Sequence, residues 1–228
     1  MRLTYATDIH GAFERVKTLL SETVADLYII ARDLIDIPFY TMNTAINYHE
    51  LQSFFHGLRF RMKKEEMKID DFVDELVDMP DTSKEIEEKG SKYQQYTIRA
   101  RRVLQQKYKV LENIMAITQT TPVFSLPGNY DMNLKYTSLH ERDLHLHWHN
   151  VQGLKIAGYG IWTPGIPERY VVDYQDNSGA GGKRNEMITF FKAVNPDVIV
   201  THQPAHGIHD RVLQFGTSGA HGPSQFLR

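Results

Sequence analysis

Cysteine is absent from the 228 residues, which excludes disulfide scaffolds, thiolate zinc sites and cysteine nucleophiles. Net charge is nearly absent as well. Lys+Arg total 26 and Asp+Glu total 28, leaving −2, a balance that argues against a dedicated nucleic-acid or membrane-surface binder. No apolar run approaches the roughly 20 residues that a membrane span needs. Met1 to Thr7 enters a strand-like run at once, with no room for a signal peptide, so a cytoplasmic location is the expectation. Repeats and low-complexity tracts are missing too. With 24% charged and 11% aromatic residues, the composition is that of a folded chain. The length fits one domain, or one domain carrying an insertion. Histidine is the abundant oddity: there are 11, and eight of them lie from His140 onward.

Hydrophobic periodicity divides the chain into two kinds of sequence. Leu3 to Thr7 reads as a short, mostly buried strand, Asp8-Ile9-His10-Gly11 as a tight loop, and Phe13, Val16, Leu19, Leu20 and Val24 as one face of a helix. Asp26 to Ala31 is a second apolar strand, ending at Arg32-Asp33. A strand–loop–helix–strand opening points to an α/β sheet. From about Thr44 to Thr118 the sequence favours helix. Tyr93, Thr97, Ala100, Leu104, Tyr108, Leu111 and Met115 recur in steps of three and four, a heptad-like stripe. Arg99, Arg101, Arg102, Lys107 and Lys109 fall beside it, as a solvated face or as a basic patch. This block is expected to be a helical hairpin, residues 44–118, inserted into an α/β domain formed by 1–43 and 119–228. It would pack on that domain, cap a cleft or pair two subunits into a homo-oligomer. Strand character returns at Pro122 to Leu126, Leu144 to Val151, Leu154 to Tyr159 and Asp197 to Thr201, with a helix over Lys183 to Val194.

Strand ends are where α/β sheets place ligands, and here they carry metal-ligating side chains. Asp8 and His10 follow the first strand, Asp33 the second, Gly128-Asn129-Tyr130-Asp131 the third, and His202 the last. Carboxylate, imidazole and amide donors without thiolate suit Mn, Fe, Zn, Co or Mg rather than a structural zinc. In Asp-x-His the two ligands lie on one side of an extended segment, because side chains alternate with period two.

In these elements the chain resembles the calcineurin-like metallophosphoesterases, whose signature runs Asp-x-His, Gly-Asp-x-x-Asp, Gly-Asn-His-Asp/Glu, a His, and Gly-His-x-His. Asp8-Ile9-His10 matches the first element and Asp33-Leu34-Ile35-Asp36 the second. Gly128-Asn129-Tyr130-Asp131 matches the third in three of four positions, and Thr201-His202-Gln203-Pro204 looks like the fourth. The resemblance covers both flanks and not the helical block. It implies a four-layer α-β-β-α sandwich, the site at the C-terminal ends of the strands. It also implies two divalent metal ions, about 3.5–4 Å apart in two-metal sites, sharing a bridging hydroxide that attacks phosphorus. By that resemblance Asp8 and His10 hold one ion, Asp33 bridges, and Asn129 and His202 hold the other.

Three departures bear on this reading. Arg32 stands where the family has the Gly before the bridging Asp, and would either crowd the site and weaken metal loading or offer a forked donor to phosphate. Tyr130 replaces the family's catalytic His; with Asp131 to orient it, it would serve as the proton donor, although its reference pKa of about 10 suits neutrality less than imidazole does. No Gly-His-x-His follows His202, and His206 and His209 either substitute as ligands or line the pocket. His145, His147 and His149 alternate, as a metal triad or as a polar strand face with Leu144, Leu146 and Trp148 inward. Lys183 lies in no P-loop, Gly158-Tyr159-Gly160 lacks a third Gly, and no Gly-x-Ser-x-Gly is present.

The expectation is therefore a binuclear metal-dependent phosphoesterase acting on a phosphorylated small molecule, a monoester or a diester. Nucleic acid is the weaker substrate class given the charge balance. The alternative is the same fold with a degraded site, serving as a binding or scaffold protein through its helical block.

Overall fold

The computed structural model describes residues 1–36, 38–39, 41–128, 131–160, 183–202, 211–212 and 216–217. Among these the chain is mixed α/β, with two small three-stranded sheets, a two-stranded ribbon and five helices, one of them long. The first sheet is β1 (Leu3–Thr7), β2 (Leu27–Ala31) and β3 (Val123–Leu126), all parallel, with β2 in the centre. The second is β4 (Trp148–Val151), β5 (Leu154–Tyr159) and β6 (Val198–Thr201); β4 runs antiparallel to β5 and β6 parallel to it. The ribbon is β7 (Arg211–Val212) with β8 (Gly216–Thr217).

Period-two alternation in β2 shows how the core is divided. All five of its residues are buried, whereas no residue of β1, expected to be mostly buried, is, because β1 is an edge strand. Tyr28 and Ile30 join a cluster with Val16 and Leu20 of α1 (Phe13–Glu22) and with Leu104, Tyr108 and Leu111 of α4 (Lys84–Met115). Leu27, Ile29 and Ala31 point the other way, into a second cluster with Leu126, Ile156 and Val200. Beyond it, Ala157 meets Met187 and Phe191 of α5 (Lys183–Val194).

The helical block holds three helices rather than a hairpin: α2 (Met42–Arg61), α3 (Ile69–Asp78) and α4. Lys63, at φ +55°, turns the chain out of α2. Pro80 forces Met79 into extended backbone at ψ 130° and so stops α3. Ser83 then opens α4 by accepting from the Ile86 N–H, with Glu85 and Glu87 in the first turn favoured by the helix dipole. Every position of the expected stripe, from Tyr93 to Met115, is buried. The stripe therefore faces the domain, and the cations beside it are partly engaged: Arg101 pairs with Asp70 and Lys107 with Asp36.

Two expected spans are shorter in the structure. Val24 lies beyond the end of α1 and is exposed. The run 144–151 is strand only from Trp148, because Leu146 adopts φ +58° and breaks the alternation. Trp148 is consequently 48% exposed instead of inward. The Gln152-Gly153 turn that follows has both residues at positive φ, the geometry a two-residue hairpin requires.

Candidate metal centre

Two loops build the heart of the site, and backbone hydrogen bonds lace them together. The Asp8 N–H donates to the carbonyls of Ala31 and Arg32 (3.2 and 3.1 Å), the His10 N–H to Asp33 (2.9 Å) and the Gly11 N–H to Leu34 (3.0 Å). The parallel register of β1 and β2, Thr7 beside Ala31, brings the two strand ends level and makes this lacing possible. As a result one ligand atom each from Asp8, His10 and Asp33 lies within 4.8 Å of the others. Asp33 is buried, whereas Asp8 and His10 are exposed, so the cluster opens to solvent on one side.

The backbone at this point is unusual. Asp8, His10, Arg32 and Asp33 all have positive φ, at +54°, +41°, +60° and +40°. L-residues avoid this region at a cost of about 1–2 kcal/mol each, with Asp and His less averse than most. Four such residues across two facing loops are strain held in place by the lacing, and strain of this kind concentrates at functional sites. The same observation gives a conformational reason for Gly at the position of Arg32.

Gly128 closes the site from the β3 side. A Cβ on it would stand 2.3 Å from both the Asp33 backbone nitrogen and its Oδ1, so only Gly lets the two loops approach this closely. Three residues on, Asp131 is buried with its carboxylate fully used. Its Oδ2 accepts from the N–H groups of Leu34 (2.9 Å) and Gly128 (2.8 Å), and its Oδ1 from the Ile35 N–H (3.2 Å) and the Tyr108 hydroxyl (2.9 Å). Burial pushes the Asp131 carboxyl up to about 7 against the lowering effect of these donors.

His202 follows β6 and is 8% exposed, its N–H donating to the Tyr159 carbonyl. Burial lowers its pKa, while the Asp33 and Asp8 carboxylates beside it pull the other way and Arg32 adds to the lowering. Its Nδ1 is buried and has no hydrogen-bond partner among the described residues. An imidazole nitrogen so placed beside carboxylates is suited to a cation. His202 stands outside the set whose ligand atoms fall within 4.8 Å.

Arg32 reaches Asp8: Nη1 lies 3.9 Å from Oδ2, and its Nε is buried with no hydrogen-bond partner among the described residues. The guanidinium is thus at the site, lending a counter-charge to one expected ligand. Asn129 and Tyr130 lie outside the described residues, as do His206 and His209. His145, His147 and His149 form no triad: the His145 Nδ1 accepts from the Gly160 N–H, and His149 stacks on Phe124 at 4.0 Å. Asp8, His10 and Asp33 are the one such cluster among the described residues.

Sequence reasoning missed Tyr108 as a site-supporting group. Its place in the α4 stripe marked it as core, and nothing local marks a hydroxyl that reaches Asp131 across 23 residues. No family model matches the chain, no curated protein matches it, and no solved structure matches it. No helix among the described residues is long and apolar enough to cross a membrane.

Proposed function

We propose that this chain is a metal-dependent phosphoesterase, hydrolysing a phosphomonoester or phosphodiester of small size. The observation that carries the reading is the convergence of Asp8, His10 and Asp33 within 4.8 Å at the ends of two neighbouring parallel strands. The orphaned His202 Nδ1 and the oxygen and nitrogen donor set fit a pair of hard or borderline divalent ions. In this reading Asp8, His10 and Asp33, with His202 and Asn129, would hold the ions. Bound ions of this kind activate water and neutralise charge developing on phosphoryl oxygens. The rest falls to side chains. Arg32 donates to a phosphate oxygen, and Tyr130 donates a proton to the leaving group. The succession of three clusters, from α1 and α4 through the two sheets to α5, supports an α-β-β-α sandwich with 44–118 as an insertion.

The test is a manganese titration coupled to hydrolysis of p-nitrophenyl phosphate and its bis ester. Wild type is expected to turn over one of them in a manganese-dependent way, and Asp33→Ala to fall to background. Metal-independent turnover, or absent turnover with both esters, overturns the reading. The Arg32 contact to Asp8 favours a second reading, a scaffold with a degraded site in which the guanidinium takes the place of a cation. Wild type that binds no manganese while Arg32→Gly binds it would establish that alternative.

A further inference from the structure

Two consecutive residues of α4 grip the loop that carries Asp33. Lys107 pairs with Asp36, and Tyr108, fully buried, donates its hydroxyl to the Asp131 Oδ1 at 2.9 Å. The same Tyr108 oxygen accepts from the Met132 N–H at 2.9 Å, so one hydroxyl satisfies the carboxylate and the backbone beside it. Asp131 in turn holds the N–H groups of Leu34 and Ile35, directly after Asp33, and that of Gly128, directly before Asn129. A carboxylate offers about four acceptor sites, and all four are taken here.

We propose that Tyr108 is a positioning residue for the metal centre: through Asp131 it sets the placing of the Asp33 loop and of Gly128 relative to each other, which makes α4 part of the site's supporting frame. Asp131 acts by this route too, as a positioning group. The proposal rests on the reading of Asp33 and Asn129 as metal ligands. Groups that orient ligands in this way commonly change metal affinity about 10–100-fold when removed.

Tyr108→Phe keeps the ring and deletes the hydroxyl. Two measurements on it separate the possibilities: amide hydrogen exchange at Leu34 and Ile35 in metal-free protein, and manganese affinity by calorimetry. Exchange at both amides is expected to accelerate, and affinity to fall about 10-fold or more. Glu112→Gln is the control. It breaks the Arg142 ion pair (2.7 and 2.8 Å) one turn further along α4, and is expected to lower the melting midpoint while leaving both readouts unchanged. Wild-type exchange and wild-type affinity in Tyr108→Phe would overturn the proposal, as would equal effects from Glu112→Gln. Wild type that binds no manganese would defeat the metal reading and, with it, the role toward a metal, even where exchange still shows the α4 grip. If Tyr108→Phe does not fold, Lys107→Met carries the same two measurements at the other end of the loop.

Discussion

Gly128 lies against Asp33 so closely that a Cβ at residue 128 would stand 2.3 Å from the Asp33 Oδ1. Asp33 is a buried carboxylate at a strand end, held at φ +40°, and it has no room to withdraw without breaking the lacing to His10. Gly128→Ala is therefore expected to cost about 1–3 kcal/mol of stability, as overpacking does. It should also displace the ligand. Urea denaturation and a manganese titration check the two effects, and an alanine variant with wild-type affinity would show that Asp33 accommodates the methyl.

Arg32→Gly acts in the opposite direction. At φ +60° the backbone of residue 32 suits Gly, and the substitution removes a strain of about 1–2 kcal/mol. Part of that gain is offset by the greater freedom of Gly in the unfolded chain. The substitution also removes the cation 3.9 Å from Asp8. The expected result is tighter manganese binding with little loss of stability. Unchanged affinity by calorimetry would mean that the guanidinium does not compete with the metal.

Gly90 sits inside α4, where alanine normally gains about 1 kcal/mol of helix propensity. Here an added Cβ would lie 2.3 Å from the Val77 Cγ2 of α3, and the β-branched valine has little freedom to turn aside. Gly90→Ala is expected to destabilise by about 1–2 kcal/mol net. The double variant Val77→Ala/Gly90→Ala should recover most of the loss, and thermal melts of the three proteins check this. A more stable single variant would contradict the close helix contact.

Asp143 contributes to the pH dependence, alongside Asp131. Burial pushes its carboxyl up to about 7, opposed by the hydrogen bond from the His145 N–H and reinforced by the nearby Asp131 charge. The folded pKa exceeds the unfolded one, so between pH ~4 and ~7 the unfolded chain binds fewer protons. Asp143 thus favours folding below about pH 4, and this contribution is lost as pH rises through about 7. Asp143→Asn keeps an acceptor for His145 and should flatten that part of the profile. Denaturant midpoints measured from pH 4 to 8 in both proteins decide it; parallel profiles would exclude Asp143 as the source.

The parts legible in the sequence are those governed by local periodicity. The α4 stripe was readable because a single helix face is buried along its length, α1 because its apolar residues repeat at helical spacing, and β2 because it is one short apolar run. The breaks were not readable. Lys63 and Leu146 take left-handed backbone with side chains that carry no turn signal, and these two residues split the expected hairpin and strand. At the site, Asp8, His10 and Asp33 announced themselves by residue type and position after strands. The Asp131 clamp did not, because its partners Leu34, Ile35 and Gly128 contribute only backbone N–H groups, which no sequence pattern distinguishes.

The central position of β2 has a consequence for synthesis. Its first neighbour, β1, precedes it, but β3 arrives only after residues 32–122 have been made. At ~5–20 residues per second that interval is roughly 5–20 s on the ribosome. Throughout it one edge of the apolar run Leu27-Tyr28-Ile29-Ile30-Ala31 is bare, a template for pairing with a neighbouring nascent chain. Expression at lower polypeptide concentration therefore favours the native pairing over the intermolecular one.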